Sequence, residues 1–306
     1  MINDGLIAAT HTPMNINGDI LYDVIPSYYQ YLKQNKLIGI FLNGSTSEGY
    51  HLTTTERMSM VEAWSKAIGD DDFKLFVFTG HLSTKESCQL TEHAASFKNV
   101  YGISATAPFY QKPASQDLII ALCKEIAEKA AHKPFYYYHI PVLTQVNLPI
   151  AQFLVNAKKE IPNLQGVKYT HNDLEEYLVA RNIENGNFEI FAGFDELSLA
   201  NRSLGARKFI GSSYNFLAPL YYEMFERFDG GDFFQAQQLQ LQSIQIIRIL
   251  ASYGYIAACK FIMAELGINN GYVRLPSKQI SEKEKIVLMR DLEKTVFFNY
   301  TSLPTV

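Results

Sequence analysis

The sequence predicts an α/β protein, a (β/α)8 TIM barrel with a C-terminal helical extension, and three observations predict it. Eight short runs of apolar, β-branched or aromatic residues recur through the first two thirds of the chain. Helix-like stretches, with apolar residues three and four apart, lie between most of them. The strand-then-helix unit returns about every 20 to 35 residues, as in a barrel whose usual size is about 250 residues. After Ser213 the strand-like runs stop and helical spacing alone remains.

Taken in order, the first strand, Leu6 to Thr10, runs into Thr10-His11-Thr12-Pro13. That turn lacks the glycine-rich phosphate fingerprint with which a doubly wound nucleotide-binding sheet, the rival fold, usually opens. Leu37 to Leu42 is the second strand and ends in a hydroxyl-rich turn, Asn43-Gly44-Ser45-Thr46-Ser47-Glu48-Gly49. Thr53-Thr54-Thr55-Glu56 then opens a helix over Thr55 to Ile68, because a threonine oxygen and a glutamate three residues on can satisfy the first free amides. Lys74 to Thr79 is the third strand, and Ser83-Thr84-Lys85-Glu86 caps a helix over Lys85 to Phe97. Val100 to Ala105 and the helix Gln116 to Ala131 make the fourth unit. Phe135 to Ile140, Leu164 to Thr170, Phe188 to Ala192 and Lys208 to Ser212 complete the strands. Ala218 to Arg227 reads as the eighth barrel helix, and Asp232 to Ala251, Ile256 to Leu266 and Glu282 to Phe297 as the extension. We assign residues 1–230 to the barrel and 231–306 to the extension; with no low-complexity linker between them, the extension is expected to pack on the barrel.

Bulk properties narrow the function. An apolar fraction of 47% in 306 residues supports a sizeable soluble core. A net charge of −4 without clustered Lys/Arg argues against nucleic acid or an anionic membrane as partner, leaving small molecules or copies of the chain itself. The absence of a basic, then apolar leader and of a run long enough to span a bilayer points to the cytoplasm. Cys88, Cys123 and Cys259 fit neither a disulfide framework nor a metal site and are expected reduced and buried. His11, His51, His81, His93, His132 and His171 have no metal-binding spacing, so no metal site is expected.

The catalytic groups of such a barrel stand at the C-terminal ends of its strands. There lie Ser45 and Thr46 after strand two, Tyr138 on strand five, Lys168 and Thr170 on strand six, Asp195 and Glu196 after strand seven, and Ser212 on strand eight. A lone amine near the end of a buried strand is costly unless used. In a partly apolar site it loses hydration of its charged form, and more of it becomes the neutral nucleophile that attacks a ketone, so Lys168 reads as a Schiff-base lysine. Side chains two apart on a strand share a face, which pairs Thr170 with Lys168 and Tyr136 with Tyr138. His139 then faces the helices as a satisfied structural histidine, and Tyr137 reads as aromatic core. The turn from Gly44 to Gly49 can be a plain lead into a helix cap, or a clamp of hydroxyls and amides for the carboxylate of a 2-keto acid. Asp195 and Glu196 are adjacent and do not resemble a glycosidase carboxylate pair.

Over nearly its whole length the chain resembles the N-acetylneuraminate lyases, a branch of the dihydrodipicolinate synthase superfamily of lysine-dependent aldolases. Four motifs carry the resemblance. Gly44-Ser45-Thr46-Ser47-Glu48-Gly49 is similar to the family's pyruvate-carboxylate loop, with Ser47 where glycine is usual. Tyr136-Tyr137-Tyr138-His139-Ile140-Pro141 resembles its tyrosine strand, Gly166-Val167-Lys168-Tyr169-Thr170 its lysine strand, and Gly211-Ser212-Ser213-Tyr214-Asn215 differs from its usual form by Ser213 alone. Leu143 stands where the synthase branch generally has an arginine for a second carboxylate, which favours a polyhydroxylated substrate.

The resemblance implies reversible class I cleavage of N-acetylneuraminate to N-acetylmannosamine and pyruvate, with no metal or organic cofactor required. It makes Lys168 and Tyr138 catalytic and Ser45 and Tyr110 a proton relay. Ser45, Thr46, Thr170, Gly193, Asp195, Glu196 and Ser212 become substrate contacts. Tyr110 matches a tyrosine that many members share across a subunit contact, and a homotetramer is implied. The alternatives are another pyruvate-dependent aldolase of the superfamily, for a 2-keto-3-deoxy sugar acid or of the dihydrodipicolinate synthase type, and a non-catalytic barrel that binds sialic acid.

Overall fold

A computed structural model describes residues 4–268 and 271–301. Eight parallel strands close a barrel in chain order, β1 (Gly5–Ala9), β2 (Gly39–Leu42), β3 (Lys74–Phe78), β4 (Val100–Thr106), β5 (Phe135–His139), β6 (Leu164–Tyr169), β7 (Glu189–Ala192) and β8 (Lys208–Gly211). The ring shuts where Gly5 to Ala8 pair with Lys208 to Gly211. Each strand is buried on both faces, which is why the runs read as continuously apolar rather than alternating. The faces differ in what they meet. Ile7, Phe41, Phe76, Phe78, Tyr136, Tyr138, Phe191 and Ile210 fill the inside. Leu6, Ile40, Tyr137, Val167 and Ile190 face the surrounding helices. At the N-terminal end the interior holds a polar plug, in which Tyr136 Oη donates to Glu189 at 2.6 Å and Lys208 Nζ binds the same carboxylate at 2.5 Å.

Helices α1 (Ile25–Gln34), α2 (Thr54–Ile68), α3 (Thr84–Ala95), α4 (Gln116–Glu128), α5 (Pro141–Thr144), α6 (Ile150–Glu160), α7 (Leu174–Asn182), α8 (Ser198–Ser203) and α9 (Tyr214–Asp229) follow the strands. The cap over α2 is complete, with Thr53 Oγ1 accepting from the Glu56 amide and Glu56 accepting from the Thr53 amide. In α3 Ser83 caps as expected, but the Glu86 carboxylate turns to the Thr54 hydroxyl instead of closing the box.

The extension comprises α10 (Phe233–Ser252), α11 (Tyr255–Glu265), α12 (Glu282–Glu293) and α13 (Phe297–Tyr300), with α10 laid along α9. The single helix expected over Glu282 to Phe297 is therefore two. The Thr295 hydroxyl donates to Leu292 O and accepts the Phe297 amide, which ends one helix and starts the next turn. All three cysteines are free and buried. Among the described residues no single helix is long and apolar enough to cross a membrane.

Candidate active site

The C-terminal mouth of the barrel encloses a cavity of about 270 Å3, bordered by Ser45, Thr46, Tyr138, Lys168, Thr170, Gly193, Asp195, Glu196 and Ser212. Nine of the ten residues singled out from the sequence thus meet in one place, because each sits on a strand end or the turn after it. Lys168 is 4% exposed and makes no hydrogen bond or ion pair with a described residue. Its Nζ lies over two rings, 4.0 Å from the centre of Phe41 and 4.1 Å from that of Tyr138. Tyr138 and Lys168 are register partners on β5 and β6, which sets phenol and amine side by side. Tyr138 Oη in turn lies 3.3 Å from Ser45 Oγ.

The turn after β2 is built by backbone strain and close approach. Asn43 and Glu48 both have left-handed φ, 61° and 57°. At Gly49 a Cβ would fall 1.9 Å from Asn43 O, so only glycine lets the turn close. Ser47, the departure from the family loop, is fully buried and points its hydroxyl at Thr10 O, 2.6 Å away, while Thr12 Oγ1 donates to Ser47 O at 2.7 Å. Its extra oxygen is thereby satisfied by Thr10, just past the end of β1. Among the described residues the Ser45 and Thr46 amides are not spent on backbone carbonyls of the turn, which leaves N–H groups and hydroxyls together at the cavity edge.

The opposite wall is polar. Thr170 Oγ1 is buried without a hydrogen-bond partner, and a Cβ at Gly193 would stand 2.2 Å from it. Asp195 Oδ2 accepts from the Ser213 amide at 2.8 Å and the Ser213 hydroxyl at 2.6 Å. Burial raises the Asp195 pKa against the pull of those bonds and of the Lys168 charge, and burial together with the Asp195 charge raises that of Glu196. Ser213, the second departure from the family motifs, therefore does the work of orienting Asp195. Eight lining residues were not singled out from the sequence, and three of them come from the extension, Ile247 and Ala251 of α10 and Tyr255 of α11, whose hydroxyl lies 2.8 Å from Ser212 Oγ. Their helical spacing is that of ordinary core, so only their contact with the strand ends reveals them.

Tyr110 is 87% exposed on the loop after β4 and lies outside the cavity of this chain, while Ser45 and Tyr138 stand together at its edge. His139 faces the helices, buried, with the Asn147 side chain as a hydrogen-bonding neighbour. Its ring lies against Tyr137, Tyr169 and His171, and burial, then the His171 charge, pushes its pKa down to about 3. Leu143 is exposed on α5 and supplies no cation to the mouth. A larger groove of about 710 Å3, between α1 and α9, brings Lys36, Glu223 and Arg227 together without a nucleophile beside a base. Among the described residues no cluster of His, Cys, Asp or Glu is disposed to hold a metal ion.

An amine that a fold keeps dry and unpaired beside a carboxylate-sized nest has one common use, imine formation with a keto acid, and this defines the protein as a class I aldolase. A family model, the dihydrodipicolinate synthetase family, matches residues 3–295, and the chain belongs to that family. It is 36% identical to the human N-acetylneuraminate lyase over 304 residues, 98% of this chain and 94% of that protein. Its structure is similar to the Aliivibrio salmonicida N-acetylneuraminate lyase (TM-score 0.94, 33% identity, 99% of this chain and 100% of that one). The Proteus mirabilis N-acetylneuraminate lyase is similar as well (TM-score 0.92, 33% identity, 96% and 99%).

Proposed function

We propose that this chain cleaves N-acetylneuraminate reversibly to N-acetylmannosamine and pyruvate, and one observation carries the reading. Lys168 Nζ is buried and unpaired between Phe41 and Tyr138, facing the hydroxyl turn. In the mechanism, Nζ adds to the C2 ketone of the open-chain sugar acid and water leaves, giving an iminium. The pyruvyl carboxylate rests on Ser45, Thr46 and their amides, which orients C2 toward the lysine. Tyr138, relayed through Ser45, takes the C4 hydroxyl proton as the C3–C4 bond breaks. The bonding pair flows into the iminium and makes an enamine, while C4 becomes the aldehyde of N-acetylmannosamine. Protonation at C3 and hydrolysis release pyruvate and restore the amine.

Thr170, the Gly193 backbone, Asp195, Glu196 and Ser212 form the surface for the hydroxyls of the sugar chain, a match of hydrogen-bonding groups. The lack of a cation at Leu143 speaks against a second substrate carboxylate. We assign the enzyme to the cytoplasm as a homotetramer, in which exposed Tyr110 completes the relay of a neighbouring copy. The division after residue 230 is one of architecture, since α10 and α11 contribute to the cavity wall.

The test is pyruvate release from a panel of sugar acids, run beside condensation of pyruvate with aspartate semialdehyde. Cleavage of N-acetylneuraminate without that condensation is expected; the reverse pattern overturns the reading. In the same series Lys168→Arg, which keeps charge but lacks an imine-forming amine, should abolish both turnover and the adduct trapped by borohydride with pyruvate.

A further inference from the structure

The turn that carries Ser45 and Thr46 is tied to the barrel at some points and to the extension at others. Asn43 Nδ2 donates to Arg57 O at 3.0 Å, and Ser47 is held by Thr10 at the end of β1. Glu48 is held from the far end of the chain. Its Oε1 accepts from Lys260 Nζ of α11 at 2.7 Å, and its Oε2 accepts from the Arg274 amide at 2.9 Å. Both charged groups are buried, Lys260 completely. The Arg274 guanidinium reaches on to His51 O at 2.9 Å and pairs with Glu56, so the segment from Glu48 to Glu56 is stitched to the extension along its length.

A buried ion pair is a poor way to gain stability, since its desolvation commonly offsets the attraction and an apolar pair of equal volume would hold two elements together as well. Its advantage is direction. A carboxylate with both oxygens engaged fixes where its backbone lies, and here that backbone is two residues from Thr46. His11, fully buried with Nε2 unpartnered, senses the same cation and is held neutral, its pKa pushed down to about 3 by burial first and the Lys260 charge second. Lys260 thus has Glu48 as its carboxylate partner among the described residues.

We infer that Glu48, held by Lys260 and the Arg274 segment, is a positioning residue for the pyruvyl carboxylate site, through which the extension sets the placement of Ser45 and Thr46. The inference rests on the clamp reading given above. It separates two quantities that a mere staple would not. Saturation by pyruvate depends on the turn, whereas the imine-forming step depends on Lys168 and Tyr138, which stand on β6 and β5.

The experiment is borohydride trapping of the pyruvate adduct as a function of pyruvate concentration. The charge-balanced Glu48→Gln/Lys260→Met double variant avoids leaving a lone buried ion, and Arg274→Ala removes a partly exposed side chain while keeping the amide that binds Glu48. In folded double variant, half-saturating pyruvate should rise about tenfold, the loss expected when a charge-assisted contact is misplaced, with the trapping rate at saturation within about threefold of the parent. Arg274→Ala should shift half-saturation in the same direction by about threefold and decides the question if the double variant does not fold. Half-saturation within about twofold of the parent in every variant that folds overturns the inference. Ser45→Ala and Thr46→Val run alongside. If they leave half-saturation unchanged, the clamp reading falls and the inference with it; if they raise it while the anchor variants do not, the inference alone falls.

Discussion

Tyr138 and Lys168 face each other because β5 and β6 pair them in register, so the ring that packs on the amine also carries the hydroxyl proposed to move the proton. Tyr138→Phe keeps the packing and removes the proposed proton path. Its kcat should fall by about 10²- to 10⁴-fold, with pyruvate adduct still trapped, and steady-state rates with a trapping assay will tell. Gly193 is constrained differently: a methyl group there would meet Thr170 Oγ1 at 2.2 Å and Tyr169 O at 3.0 Å. Gly193→Ala should therefore raise KM for the sugar acid on the order of tenfold while half-saturation by pyruvate alone stays put, because the carboxylate turn is on β2. Residue identity made Lys168, Tyr138 and the hydroxyl turn legible, since each is expensive or unusual where it stands. Thr170 and Asp195 followed from strand parity and loop position. The role of Ser213 in holding Asp195 did not, because a serine beside a strand end has many uses and the sequence names no partner.

The strands were readable because a closed parallel sheet buries both faces and so writes itself as short apolar runs. Helix starts were readable where a cap needs particular atoms, as at Thr53 with Glu56. Thr53→Ala should lower stability by about 1 kcal/mol, seen as an earlier midpoint in urea with an unchanged slope. Helix ends and breaks were less readable, since the interruption between α12 and α13 depends on one threonine hydroxyl in a pattern that otherwise continues. The roles of α10 and α11 were hidden for another reason. Apolar spacing tells that a face is buried but not against what, and in Ile247 and Tyr255 the same spacing serves the cavity.

Across the whole molecule, long-range ion pairs join parts of the chain that no local pattern connects. Glu56 caps α2 and also receives the Arg274 guanidinium, whose hydrogen bond is the main cause of its pKa falling from 4.5 to about 2. A depressed carboxylate contributes stability above its unfolded value and loses it as pH falls through the folded one. The share of the native chain's advantage over Arg274→Ala that comes from this pair should therefore be full above about pH 5 and be lost as the pH approaches about 2, leaving the pH-independent share from the bonds to Gly18 O and His51 O, a comparison made by urea midpoints across that range. Salt should shrink the same difference, because the pair is only partly buried.

The seam between β1 and β8 has a consequence for how the protein is born. A ribosome releases the chain from its N-terminus, so Gly5 waits for Lys208 to be made before it has its partner on that side. Until then the curl of strands has two open edges, each a template for unwanted pairing with another chain. Glu48 waits longer still, for Lys260. A message cut short after β8 would thus lack the Lys260 and Arg274 partners of Glu48, and the last stretch of translation supplies what secures the earliest strand and turn.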